Sequence, residues 1–137
     1  MEIDAKKIML LTSKLNNLLE GYDEFYLSKK TNLTIKDKLL VFLLNGDVPP
    51  YELLKFLGIA KTNLALIISK MENDGLITKK RDLIDKRNIL ISLTVSGNIK
   101  ANEILEKINK NINNALAYKN NGEKINALLD SLNAKIK

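Results

Sequence analysis

The 137-residue sequence predicts a mainly α-helical fold with one small β-hairpin, an α+β arrangement in a single domain. Two patterns predict it. Apolar residues recur at helical spacing in segment after segment along the chain. One strict alternation interrupts them, with Ile89, Ile91 and Leu93 on one parity and Asn88, Leu90 and Ser92 on the other. A composition of 45% apolar and 28% charged residues is that of a globular chain rather than a disordered one.

The first segment carries Ile8, Leu11, Leu15, Leu18, Tyr22 and Phe25 at alternating three- and four-residue steps, the heptad spacing of a helix packed along its length. Such a stripe serves equally a helix lying on its own core and a helix packed against a second chain. Thr34, with Asp37 three residues on, forms a capping box with Asp in place of Glu and opens a second helix. That helix turns Ile35, Leu39, Phe42 and Leu43 inward. Asn45-Gly46-Asp47 ends it by turn chemistry, and Pro50 occupies the first turn of a short third helix, YELLKFL, which Gly58 stops. A fourth helix starts near Ala60 or Lys61 and runs to Asp74, with Gly75 as terminator and Leu64, Ile67, Ile68 and Met71 inward. Two short helices joined at a glycine turn have the shape of a helix-turn-helix.

Leu76 and Ile77 begin a strand through Lys79-Lys80-Arg81, the loop DLIDK turns the chain, and Asn88 to Leu93 return it. Ile77, Ile89, Ile91 and Leu93 are expected to face the helices, because a two-stranded ribbon is stable only with one face buried. A hairpin directly after a helix-turn-helix is a wing, so the fold class is a winged helix-turn-helix. Thr94 caps the next helix, whose seam is Ala101, Ile104, Ile108, Ile112 and Ala115. Asn120-Asn121-Gly122 breaks it, and Ile125, Leu128, Leu129, Leu132 and Ile136 stripe a last amphipathic helix. These two helices carry too much apolar surface to stand exposed, and with the first helix they can supply a dimer interface.

The chain has no cysteine and no histidine. Disulfides, thiolate metal sites, thiol redox sensing and the commonest general base are thereby excluded. No Gly-rich phosphate loop, nucleophile setting or acidic cluster with metal spacing is present, so neither an enzyme nor a metal or other cofactor is expected. The acid pairs Glu72/Asp74 and Asp82/Asp85 read as helix-end and loop charges. MEIDAKK lacks a basic lead into an apolar run, and LLVFLL is too short to cross a bilayer, so the expectation is a cytoplasmic chain with no membrane partner.

The net charge of +6 favours polyanionic partners, and the cations are not scattered at random. Lys61, Thr62 and Asn63 sit at the amino end of the fourth helix, where backbone N–H groups and the helix dipole also favour phosphate. On a recognition helix, Lys61 suits a phosphate or guanine edge, Asn63 an adenine, and Thr62 a phosphate or thymine methyl. Ser69 and Lys70 join that DNA-facing set. Lys79, Lys80 and Arg81 on one strand, with Lys86 and Arg87 across the loop, place five cations on a projecting hairpin. A guanidinium there suits the negative potential of a narrow minor groove, and Asp85 stands two residues away to orient the Arg87 fork. The bland alternatives are first-turn polarity and a solvated turn.

Asp85-Lys86-Arg87, five residues, Leu93-Thr94 and then Gly97 resembles the D-x-R-x5-L-T-x2-G signature of the MarR family of bacterial transcription regulators. LLKFLGIAKTNLALIISKMENDGLITKKR is similar to that family's helix-turn-helix in register. The resemblance implies a homodimer in which about residues 3–29 and 98–137 are dimerisation helices and about 34–97 a DNA-binding lobe. It implies a double-stranded pseudo-palindromic operator, Arg87 as wing arginine with Asp85 as its partner, and a repressor that occupies a promoter. It also implies a small-molecule effector, for which Tyr22, Phe25, Tyr26 and Phe42 are the candidate pocket lining; plain interface packing is the alternative for that group.

The chain departs from the family's pattern in three respects. Ala60 stands where a capping Ser or Asp is usual, at a cost of ~1 kcal/mol. Ala65 and Leu66 replace polar and basic DNA-contacting residues, with thymine-methyl contact open to Ala65. Leu83 and Ile84 make the wing tip apolar, to pack on DNA sugar edges or to cover the ribbon. The rival functions are a winged-helix protein-interaction module and a nonspecific nucleoid-type DNA binder.

Overall fold

The structure is a computed structural model that describes residues 2–20, 33–116 and 122–136. In chain order its elements are α1 (Ala5–Glu20), α2 (Ile35–Leu43), α3 (Pro50–Leu57), α4 (Lys61–Asn73), β1 (Ile77–Arg81), β2 (Ile89–Leu93), α5 (Val95–Leu116) and α6 (Gly122–Lys135). This is a mainly helical chain with a two-stranded antiparallel wing, as the sequence predicts.

Local chemistry sets most of these boundaries. The capping box at α2 is complete: Thr34 Oγ1 accepts from the Asp37 N–H at 3.2 Å, and Asp37 Oδ2 accepts from the Thr34 N–H at 3.1 Å. Pro49 and Pro50 open α3, where a missing N–H costs nothing because the first turn leaves it unpaired. Gly58 closes α3 in the left-handed region, φ +63°, with its N–H donating to the Leu54 carbonyl. At the end of α4 the Gly75 N–H donates to Glu72 and the Leu76 N–H to Met71, a Schellman motif around the φ +76° glycine.

The start of α4 has no side-chain cap, because Ala60 holds the extended cap geometry with a methyl that can neither donate nor accept. Ala60→Ser is therefore expected to raise stability by about 1 kcal/mol, or about 4 °C in thermal denaturation followed by circular dichroism.

The core lies where α2, α3, α4, the ribbon base and α5 converge: Leu39, Leu40, Leu43, Leu53, Leu64, Ile68, Met71, Ile77, Ile91 and Ala101 are buried. Leu40 was not among the residues expected inward. It is buried because α2 packs against α3, β2 and α5 together and so hides more than one stripe.

β1 and β2 pair in the register Ile77 to Leu93, Lys79 to Ile91 and Arg81 to Ile89. Val48 adds a short third rung, exchanging backbone hydrogen bonds with Ile91 on the edge away from β1. Two expectations for the ribbon need correcting. Ile89 does not face the helices but stands 46% exposed, because it lies opposite Arg81 toward the projecting end of the ribbon. Ser92, on the other parity, is buried.

The segments at either end of the wing lobe are joined at one point. Thr94 Oγ1 donates to the Gly75 carbonyl at 2.6 Å and accepts from the Gly97 N–H at 3.0 Å, while the Thr94 N–H donates to the Leu76 carbonyl. The first turn of α5 thus rests directly on the turn between α4 and β1. Gly97 is required there, since a Cβ on it would overlap the Leu76 carbonyl.

α1 packs on α5, yet leaves Ile8, Met9, Leu10, Leu11 and Leu15 exposed. α6 is exposed along its whole described length, including Leu128, Leu129 and Leu132.

Candidate nucleic-acid interface

Leu64, Ile68 and Met71 bury one face of α4, which turns the opposite face outward by helical phase. Thr62, Ala65, Leu66 and Ser69 occupy that outer face, with Asn63 and Lys70 along one edge and Lys61 in the first turn. All seven are exposed. The candidate recognition surface is therefore cationic and polar at its amino end and apolar in the middle, where Leu66 is 72% exposed.

The five wing cations are exposed as well, but they differ in how they are held. Arg87 donates from Nε to Asp85 Oδ1 at 3.0 Å and from Nη2 to Asp85 Oδ2 at 3.1 Å, and its backbone N–H also donates to Oδ1. This two-toothed pairing orients the guanidinium while leaving the side chain 90% exposed. The Arg87 fork, and then its backbone N–H, hold the Asp85 carboxyl below its ordinary value of 3.8, and Asp85 raises Arg87 in turn. A carboxyl with a lowered value keeps the pairing above the ordinary carboxylate range and loses it only as pH falls through the lowered value.

Arg81 Nη1 donates to the Lys86 carbonyl at 2.9 Å, which ties the two flanks of the loop together. Lys79 Nζ lies 3.6 Å from Glu72 Oε1, so the wing base is linked to the last turn of α4. Neither of these two links is apparent in the sequence. Glu72 precedes Lys79 by seven residues across a turn, and only the antiparallel return of the chain brings them together. Asp82 accepts from the Ile84 N–H, so the acid pairs expected to be helix-end and loop charges are accounted for as such in Glu72, Asp82 and Asp85.

Of the candidate effector group, Phe42 is half-buried and stacks on Phe56, with ring centroids 4.3 Å apart; Tyr22, Phe25 and Tyr26 lie outside the described residues. Among the described residues, no cluster of acids could hold a metal ion and no helix is long and apolar enough to cross a membrane.

A helix-turn-helix followed by a cationic wing is the arrangement of these elements, and a family pattern covers it. The family described as Transcriptional regulator SarA/Rot matches residues 25–104, more than half of the chain. The chain belongs to the SarA/Rot family of transcriptional regulators. The SarA/Rot match spans the helix-turn-helix, the wing and the start of α5, so the resemblance carried by Asp85, Arg87, Leu93, Thr94 and Gly97 falls inside it.

Solved structures extend the likeness to the flanking helices. MarR from E. coli in its apo form is similar with a TM-score of 0.63 and 17% identity, over 100% of this chain and 99% of that one. A transcriptional regulator from Thermotoga maritima has a TM-score of 0.57 and 21% identity over 95% and 92% of the two chains. ZitR from Lactococcus lactis has 0.58 and 20% over 97% of each. These place the SarA/Rot chain in the MarR-type winged-helix fold. Among curated proteins, no sequence relative matches. The function class is thus a winged-helix transcriptional regulator.

Proposed function

We propose that this chain is a sequence-specific double-stranded-DNA-binding repressor that acts as a homodimer on a pseudo-palindromic operator in the cytoplasm. The observation that carries the reading is Arg87: a guanidinium locked in orientation by Asp85, yet exposed on a projecting wing beside an outward recognition helix. In this reading Lys61, Thr62, Asn63, Ala65, Leu66, Ser69 and Lys70 enter a major groove. Lys79, Lys80, Arg81, Lys86 and Arg87 meet the flanking backbone and minor groove.

The homodimer is supported by the apolar stripes that α1 and α6 leave in water, Ile8, Leu11 and Leu15 on one and Leu128, Leu129 and Leu132 on the other. A second copy covering them would hold two recognition helices about one helical turn apart. Release by a small apolar effector is the accompanying proposal. It would bind between the dimer helices and the lobe, near the Phe42–Phe56 stack.

Gel shifts on the promoter upstream of its own gene test the DNA reading. About five phosphate contacts per wing, and so about ten for the dimer, predict a loss of affinity on the order of 10⁵-fold between ~50 and ~200 mM salt, from a slope of roughly 0.9 per contact. Binding that ignores salt, or that random DNA competes for equally, rejects it.

The exposed Ala65-Leu66 patch favours a second reading, a winged helix that docks on a protein. It predicts a monomer or heteromer with no DNA affinity at physiological salt, and sedimentation at micromolar concentration separates the two.

A further inference from the structure

The most exposed large aliphatics among the described residues are Leu83, 93% exposed, and Ile84, 97% exposed, side by side at the wing tip. Such exposure shows that they do not cover the ribbon. Nor are they the slack of an unstructured turn. The Ile84 N–H donates to Asp82 Oδ1 at 2.9 Å, the Asp82 N–H to the Asn88 carbonyl at 3.0 Å, and the Asn88 N–H to the Asp85 carbonyl at 3.0 Å. Arg81 clasps the Lys86 carbonyl and Arg87 clasps Asp85, so both flanks are tied. Backbone and charged side chains thus fix a loop whose outermost groups are two branched hydrocarbons.

Charge decides what those hydrocarbons meet. Lys80, Arg81, Lys86 and Arg87 flank the loop that carries the pair and outnumber its two acids, Asp82 and Asp85, so the charge favours an occupant that is apolar where Leu83 and Ile84 touch it and anionic beside them. The minor groove of duplex DNA has that chemistry: hydrocarbon sugar edges and base faces lie between two rows of phosphates.

We propose that Leu83 and Ile84 form a minor-groove wedge. They pack between the sugar walls and, at a flexible pyrimidine–purine step, part the base stack and bend the site, while the flanking cations hold the phosphates. The wedge rests on the DNA-binding reading above. It adds a contact that selects sites by deformability rather than by base-edge hydrogen bonds.

The test uses the full chain and the duplex it selects from a random-sequence pool. Leu83→Ser/Ile84→Ser removes only exposed groups, and circular dichroism checks that the fold is kept. The expected result is about tenfold weaker binding with an unchanged salt slope, since no phosphate contact is lost, and a smaller bend by circular-permutation gel shift. Replacing the pyrimidine–purine step beneath the wing by an A-tract should weaken the parent protein and leave the double variant unaffected. Leu83→Met/Ile84→Val should bind and bend as the parent does.

If the double variant binds and bends the duplex like the parent, the wedge is wrong. It is equally wrong if the substitutions abolish co-sedimentation with phosphatidylglycerol vesicles while sparing DNA. If the parent selects no duplex at all, the DNA-binding reading itself fails and takes the wedge with it.

Discussion

Replacement of Arg87 by alanine is expected to weaken operator binding about one hundredfold without altering the fold. The proposed dimer would present two such arginines, and the loss of one specific guanidinium contact costs about 1–3 kcal/mol. The side chain is exposed and its in-chain partner is Asp85, so the free protein loses only a surface ion pair. The slope of log affinity against log salt should also fall by about 0.9 for each lost charge, which separates this effect from that of the apolar wing tip. Arg87→Lys should recover only part of the loss, because an ammonium cannot engage both Asp85 oxygens as the fork does. Asp85→Asn keeps Arg87 charged but removes its orientation, and an intermediate loss of a few fold is expected. Because the Asp85 carboxyl lies below its ordinary value of 3.8, this pairing should persist from about pH 8 to about pH 5. Fluorescence anisotropy with labelled duplex reads all of these outcomes.

Gly97→Ala is expected to destabilise the chain by about 3 kcal/mol, or about 10 °C in melting temperature. The new methyl would overlap a backbone carbonyl, that of Leu76, which cannot swing aside as a side chain can. Relief requires the first turn of α5 to lift from the turn between α4 and β1. That lift breaks the bonds of Thr94 to Gly75 and to Leu76 as well. Since this junction seats the first turn of α5 on the turn between α4 and β1, operator binding by the surviving folded fraction should fall too. Thr94→Val offers the milder comparison at about 1–2 kcal/mol, because it removes the hydroxyl that serves Gly75 and Gly97 but keeps the volume. Differential scanning calorimetry of the three proteins decides whether the close approach or the hydroxyl matters more.

The features legible in the sequence share a short span. Thr34 and Asp37, Gly75 and the end of α4, and Asp85 and Arg87 are each within a few residues of what they serve. Backbone geometry alone brings such partners into contact, so residue type and spacing suffice to read them. The outward face of α4 was legible for the same reason, because a period of 3.6 places Thr62, Ala65, Leu66 and Ser69 opposite the buried Leu64, Ile68 and Met71.

Ile89 shows where that reasoning stops. Alternation places it on the same parity as Ile91, but parity does not say how far the ribbon extends past the helices that cover it. Leu40 is the converse, buried because α5 returns over α2 from far along the chain. The Val48 rung, the Lys79–Glu72 link and the apolar stripes left on α1 and α6 are likewise properties of the assembled chain.

By itself the sequence determined the order of elements, their caps, the cationic wing with its oriented arginine, and the regulator family, since each rests on local backbone chemistry or on residue identity. Only the tertiary structure decided why Gly97 must be glycine, which of the ribbon's aliphatics are buried, and that Leu83 and Ile84 stand clear of any core. Those facts depend on what distant segments place against them, and no local pattern encodes that neighbour.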